Sequence, residues 1–289
     1  MKYKQALKLY VFLLLFSLIF YLTVLHIYGL LPNAGAALLG VMISIHAFFL
    51  IGVIKKNHTV IDTAWGLSFI IVAHVTFWMQ PAHGIAQWIT LALVTIWGLR
   101  LFLHILSRTV GKEEDPRYRQ MREQLQMKKH ALLMSYVRIY LVQGVLAWII
   151  AAPIVFIHSM DQTGVFPLWQ VGVALWIIGF LFEVVADQQL KSFLAKSENR
   201  GRIMTGGLWK YSRHPNYFGE ATQWWGIYLI AAGFEGGWVT FFGPMLITFL
   251  LLYVSGVPLA EKLISGFPGF EEYKNRTSMF FPWLPRKGK

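Results

Sequence analysis

Eight apolar stretches recur along the 289 residues, roughly at 8–30, 35–54, 61–79, 86–107, 136–158, 167–187, 216–233 and 239–257. That recurrence constrains the fold more than any single motif. A bilayer core about 30 Å thick is crossed by about 20 apolar residues in a helix. Lipid also offers no water to backbone polar groups, so such stretches must satisfy them internally as helices. With 56% hydrophobic and only 14% charged residues, the expected fold class is all-α: a polytopic transmembrane helical bundle of about eight helices. The first stretch follows Lys2, Lys4 and Lys8. It is too long for a secretory signal and lacks a small-residue cleavage site, so a retained helix is expected. The absence of cysteine excludes disulfides, thiolate metal sites and cysteine nucleophiles.

A net charge of +12 looks like a nucleic-acid signal until it is laid over the helices. Lys55, Lys56, the 108–135 connection, the 188–215 connection and both chain ends then fall on one side. The opposite loops, near 31–34, 80–85, 159–166 and 234–238, carry no Lys or Arg. This is the positive-inside pattern, with both termini cytoplasmic. It requires no nucleic-acid or obligate protein partner. The expected partner at this level is the lipid bilayer. The first two helices carry almost no charge, so residues 1–57 read as an accessory pair, and the polar residues of the spans begin within 58–289. Polar clusters are expected at the cytoplasmic helix ends, around one pocket.

The densest polar run is Ser212-Arg213-His214-Pro215-Asn216-Tyr217-Phe218-Gly219-Glu220. Pro215 suits the first turn of a helix, whose unbonded N–H groups beside Arg213 and His214 favour an anion. Asn216 and Glu220 stand four apart and share a face. Upstream, Arg200 to Trp209 forms a basic, glycine-bearing loop, with Arg200 and Arg202 as phosphate-type donors. Arg100, His104 and Arg108 line one face of the fourth helix, from within the membrane to its edge. Glu183 and Asp187 repeat the four-residue spacing on the sixth, where two like charges need a partner or a shared proton. Asp62, in Asp62-Thr-Ala-Trp65-Gly66, reads as a pocket carboxylate or as the N-cap of helix three. Glu261 stands in a tail that also reads as a juxtamembrane amphipathic segment. No two glycines flank a single residue, and no P-loop, H-E-x-x-H or G-x-S-x-G occurs. A nucleotide would therefore need a non-Rossmann pocket. No metal site is expected.

Several of these runs, in this order, resemble the bacterial relatives of steroid 5α-reductase, which share a C-terminal domain with 3-oxo-5α-steroid reductases. They are Asp187 to Leu190, Gly206-Gly207-Leu208, Asn216 to Glu220, and Tyr253 through Phe270-Glu-Glu-Tyr273 to Pro282. Asp62 to Gly66 and Arg100 to Tyr118 look like the same subgroup, so the resemblance covers roughly the last 230 residues. It implies a protein of the bacterial inner membrane that encloses NADPH from the cytoplasmic side and reduces a C=C bond conjugated to a carbonyl in a lipophilic substrate. By motif match, Asn216 and Glu220 would lie on the nicotinamide portion, and Glu183 and Asp187 on the adenosine side, with Tyr217 also among the cofactor-binding residues. Arg100, Arg108, Arg200, Arg202 and Arg213 would serve the phosphates. The glutamine–glutamate pair and tyrosine of the steroid enzymes have no counterparts here. Asp62, Trp65, Arg100 and His104 occupy the comparable stretches, and Asp62, Trp65 and His104 become the catalytic candidates.

Arg213 to Tyr217 and Glu261 to Tyr273 are also similar to the isoprenylcysteine carboxyl methyltransferases. That resemblance implies S-adenosylmethionine as an alternative cofactor, with His214 and Glu261 beside it. A non-catalytic lipid-binding protein is the third reading. A transporter would show pseudo-symmetric halves with broken helices, whereas the polar residues here crowd the second half.

Overall fold

The computed structural model describes residues 3–126, 130–160 and 167–286, and among them no strand occurs. The chain is an all-α, polytopic membrane protein. Among the described residues, six helical segments are long and apolar enough to cross a bilayer: Leu31–Lys55, Val60–Trp78, Ile85–Thr109, Ala131–Ile150, Leu168–Leu194 and Gly237–Ile264. In chain order the helices are α1 (Tyr3–Ile27), α2 (Leu31–Lys55), α3 (Val60–Trp78), α4 (Ile85–Thr109), α5 (Pro116–Gln126), α6 (Ala131–Ser135), α7 (Val142–Ile150) and α8 (Ala152–Ser159). They continue as α9 (Leu168–Leu194), α10 (Pro215–Ala232), α11 (Phe242–Phe249), α12 (Val257–Ile264) and α13 (Phe270–Arg276). Each of the eight apolar stretches falls on helix. The fifth is not one continuous α-helix: a π-helical turn at Tyr136–Leu141 precedes α7, and α8 starts afresh with Pro153 in its first turn, where the missing N–H costs no bond.

The chain divides into two compact units. The N-terminal unit holds Phe16–Phe166 and Phe234–Thr240. Its hub is α3, which packs against α2, α4, α7 and α8 through Ile61, Phe69, Val72, Ala73 and Phe77, all buried. Leu39, Ile43, Ile54 and Leu103 stay more than half exposed, as apolar residues do on a surface meant for lipid.

The other unit holds the chain up to Leu15, Pro167–Gly233 and Phe241 onward, and its frame is the antiparallel pair α9 and α10. Glycines set how closely these two helices approach. A Cβ on Gly179 would stand 2.6 Å from the Gly219 carbonyl oxygen, and one on Gly172 2.6 Å from that of Gly226. Small residues at such a seam let helix backbones pack in lipid, where apolar burial alone gives no drive to associate.

Two expectations need correction. Asp62 is not the N-cap of α3: Thr59 holds that position and Asp62 lies inside the first turn. Nor do all polar clusters gather at one side. At the end of α3 remote from Asp62, His74 faces Thr95 at 3.1 Å, Thr76 faces buried His158 at 2.9 Å, and Gln87 donates to the Met160 carbonyl at 2.8 Å. Sequence position hid this cluster because its members are neutral and come from three different helices.

Candidate functional site

In the C-terminal unit the glycine seam brings two carboxylates of α9 against two amides of α10. Asn216 Nδ2 donates to Asp187 Oδ1 at 3.2 Å, and Gln223 Nε2 donates to Glu183 Oε2 at 2.5 Å. Glu183 is buried, with 3% of its surface exposed, and Gln223 with 2%. Carboxylates one turn apart on α9 therefore meet amides two turns apart on α10, because the helices run antiparallel. The far ends of both amides, Asn216 Oδ1 and Gln223 Oε1, are buried without a hydrogen-bond partner among the described residues. A buried polar atom left unsatisfied is costly. Glu220 and Tyr217 are half-buried on the same helix.

α10 begins at Pro215, as its sequence predicts. The segment before it is held from several directions. Trp209 Nε1 donates to the Ala186 carbonyl at 3.1 Å, and the Leu208 amide to Gln189 Oε1 at 3.0 Å. Ser212 Oγ donates to the Phe280 carbonyl at 2.8 Å, and Tyr273 Oη to that of Trp209 at 2.7 Å. Arg213 is buried and already occupied. Its Nε donates to Glu261 at 2.8 Å, and Nη1 to the carbonyls of Lys274 and Thr277 at 3.0 and 2.8 Å. Nη2 stands 2.7 Å from the same Glu261 oxygen. A phosphate would have to compete with those partners, so Arg213 and Glu261 act first as a clamp tying α10 to α12 and α13. His214 lies 3.5 Å from Glu261 and stacks on Tyr217 with ring centroids 5.5 Å apart. Burial holds its imidazole below the ordinary histidine value even though Glu261 pulls the other way. Arg200 and Arg202 are exposed in the preceding loop.

The remaining candidates belong to the N-terminal unit. Asp62, about a quarter exposed, accepts a short hydrogen bond from the Tyr118 hydroxyl and lies 3.6 Å from the Arg117 guanidinium. Trp65 Nε1 donates to Gln143 Oε1 at 2.7 Å, and Gln143 Nε2 reaches the Tyr118 oxygen at 3.5 Å. Burial, and then the Asp62 carboxylate, push the Tyr118 phenol well above the ordinary tyrosine value. Asp62 and Trp65 are thus brought into one network. Arg100 and His104 are half-buried on α4, and Arg108 is exposed near its end. Sequence reasoning missed Tyr118, Gln143 and Gln223. Of these only Gln223, seven residues after Asn216 on one helix face, left a legible signal.

The family described as "Protein of unknown function (DUF1295)" matches residues 48–277. The bovine protein named 3-oxo-5-alpha-steroid 4-dehydrogenase 1 is 38% identical over 72 residues, 25% of this chain and 28% of that protein. Its human namesake is 29% identical over 118 residues, 41% and 42% of the two chains. An uncharacterized protein of Schizosaccharomyces pombe is 25% identical over 263 residues, covering 81% of this chain and 75% of its own. The chain thus spans about a quarter to two fifths of the length of these two dehydrogenases. No solved structure matches significantly.

Proposed function

This chain belongs to the DUF1295 family, and on that premise we propose that it is an integral membrane oxidoreductase of steroid 5α-reductase type. It uses NADPH to reduce a C=C bond conjugated to a carbonyl in a lipophilic substrate. Similarity to the steroid dehydrogenases supports the reaction class. The observation that carries the cofactor is Asn216: one end of its amide is fixed by Asp187, and the other is a buried oxygen with no donor. A carboxamide N–H is the donor that satisfies such an oxygen, and the nicotinamide ring carries one, so the residues present fit the group.

When bound, NADPH supplies the hydride. In the C-terminal unit Asp187 orients Asn216, Glu183 and Gln223 brace the adjoining turn, and Tyr217 and Glu220 complete the same side of α10. Arg200 and Arg202 offer exposed cations to the phosphates. Within the N-terminal unit Asp62, Trp65 and His104 are the candidate catalytic residues, and Arg100 and Arg108 the candidate cations. An electrostatic or hydrogen-bond donor at a carbonyl stabilises the charge that develops on its oxygen during reduction. Residues 58–289 form the catalytic domain in this reading. The protein sits in a bacterial cytoplasmic membrane with the site and both termini facing the cytoplasm.

The test is thermal unfolding of the detergent-solubilised protein with NADPH, NADH and S-adenosylmethionine in parallel. A ligand that binds only the folded state, at one hundred times its Kd, adds about 2.7 kcal/mol of stability. A rise with NADPH supports the reductase. A rise with S-adenosylmethionine alone replaces it with methyl transfer, and no rise with any of them leaves a non-catalytic lipid-binding role.

A further inference from the structure

After α13, residues 277–286 run as an irregular strap that is pinned along its length. The Ser278 carbonyl accepts the Arg213 amide proton at 2.8 Å, and the Phe280 carbonyl accepts that of Ser212 Oγ at 2.8 Å. The Trp283 amide donates to the Tyr211 carbonyl at 3.0 Å, and the Arg286 amide to that of Arg276 at 2.9 Å. Phe280, which is buried, and Phe281 each place a ring centroid 5.9 Å from that of Phe218 in the first turn of α10. The strap therefore lies where α10 begins.

A segment held this firmly could hide its apolar side chains, yet Phe281, Trp283 and Leu284 are each well over half exposed. Cations stand beside them. From Lys274 to Arg286 the chain carries three cations and no acid, and Lys274, Arg276 and Arg286 are exposed. Lys210, also exposed, has its ammonium 5.8 Å from the Tyr211 ring centroid, next to the residue that anchors Trp283. Of the acids on α13, Glu272 is occupied by Arg276 at 3.3 Å, and Glu271 precedes it. We infer that the strap is a docking site for an anionic lipid leaflet, in which Phe281, Trp283 and Leu284 enter the headgroup boundary while Lys210, Lys274 and Arg286 hold lipid phosphates.

Depth and charge both argue for that occupant. Pro282 and Pro285 keep the strap from becoming a helix, and irregular backbone is not tolerated in lipid hydrocarbon. The strap consequently belongs at headgroup level, where tryptophan is also enriched. A zwitterionic surface would cover the apolar side chains but give the cations little, whereas an anionic one favours docking by about fivefold for each Lys or Arg close to it. The backbone bonds hold the side chains in place beforehand, so little ordering cost falls on the docking step. Through Ser212, Arg213 and Tyr211 the same bonds make the leaflet's hold on the strap a hold on the start of α10.

The chain has no cysteine of its own, so Leu284→Cys in the full-length protein carries a single fluorescent reporter on the strap. The labelled protein is placed in nanodiscs of phosphatidylcholine alone or mixed with phosphatidylglycerol, and quenching by acrylamide, a neutral solute, is measured. Quenching is expected to be at least about fivefold weaker with phosphatidylglycerol, the size of one cation's contribution, and high salt should erase the difference. Lys210→Gln with Arg286→Gln should remove most of it without moving the unfolding temperature, since both side chains are exposed. A reporter at Leu103→Cys, exposed on the transmembrane helix α4, should be shielded whatever the headgroup. Equal quenching of the strap reporter in the two lipids, or a difference that survives the double substitution, overturns the proposal. Shielding that grows with the number of chains per disc would also overturn it, by giving the strap to a second copy of the chain.

Discussion

Asn216 and Asp187 meet across the α9–α10 seam at 3.2 Å, amide nitrogen to carboxylate oxygen, while the other end of the same amide is buried without a partner. On the reading proposed above, that unpaired oxygen is the atom that a bound carboxamide N–H satisfies. Replacing Asn216 by leucine should therefore lower NADPH affinity by at least about tenfold, because one satisfied polar contact in a desolvated site is lost. The unliganded fold should lose little, since Asp187 is only half-buried and water can reach it. Titration of NADPH against Asn216→Leu, with unfolding measured in parallel, separates the two effects. An unchanged affinity would remove Asn216 from the cofactor site.

Arg213 illustrates a residue whose role changes with its surroundings. Glu261 and the carbonyls of Lys274 and Thr277 take up its fork, so geometry matters more than charge. Arg213→Lys keeps the charge but cannot span those acceptors. Breaking a buried ion pair costs about 3–5 kcal/mol, and partial rescue by lysine should leave a loss of about 2–3. A clear drop in the unfolding temperature is expected before any ligand is added. A variant as stable as the wild type would show that the clamp contributes nothing.

Much of this was legible along the chain, and for a physical reason: one helical turn is a local relation. The eight apolar stretches, the start of α10 at Pro215, and the shared faces of Glu183 with Asp187 and of Asn216 with Glu220 all follow from spacings of a few residues. Partnerships between distant segments left no such trace. Tyr118 reaches Asp62 across 56 residues, and Arg213 finds Glu261 across 48. The neutral cluster around Thr76 and His158 spans 82. Gln143, Gln189 and Gln223 look like ordinary polar residues until the helices that face them are in place.

The Tyr118 hydroxyl bonds Asp62 inside the N-terminal unit. Tyr118→Phe removes that donor and leaves the carboxylate with Arg117 at 3.6 Å. A hydrogen bond to a charged group contributes about 1.5–3 kcal/mol net. Because Asp62 keeps some solvent, the lower end, about 1.5 kcal/mol, is the expected loss in denaturant or thermal unfolding. Asp62→Asn in the same Phe background should cost little more, since the coupled contact is already gone. Two full, additive losses would mean that the pair is not coupled.

Close approach at the glycine seam makes a sharp steric prediction. Gly179→Ala would set its methyl 2.6 Å from the Gly219 carbonyl oxygen and 2.7 Å from the Gln223 amide nitrogen. Neither is a flexible side-chain end, so the helices must part. Overpacking of this kind costs about 1–3 kcal/mol. Gly35, inside α2 with nothing within 4 Å of a built Cβ, is the control. Its replacement by alanine should be neutral or stabilising by up to about 1 kcal/mol, because alanine is the better helix former. Equal responses of the two variants would sink the seam.

The pH dependence of stability should carry the signature of two buried histidines outside the membrane spans. Burial lowers His214, against the pull of Glu261 and with a smaller push from Arg213. Burial likewise lowers His58, against Glu114 and with help from Arg122. In both cases the unfolded chain binds its proton at a higher pH than the folded one. The stability they contribute is complete above the ordinary histidine value, about pH 6.5, and is lost as the pH falls from there through the folded-state value. Aspartate and glutamate titrate nearer pH 4, which leaves the window between pH 6.5 and 5 to the histidines. Unfolding temperatures at pH 7.5, 6.5 and 5.5 should fall across the last two points in the wild type. They should fall less in His214→Asn, which keeps a polar side chain at the start of α10 but cannot titrate. A wild-type curve flat over that range, or an equal slope in the variant, would mean that His214 is as easily protonated in the folded chain as in the unfolded one.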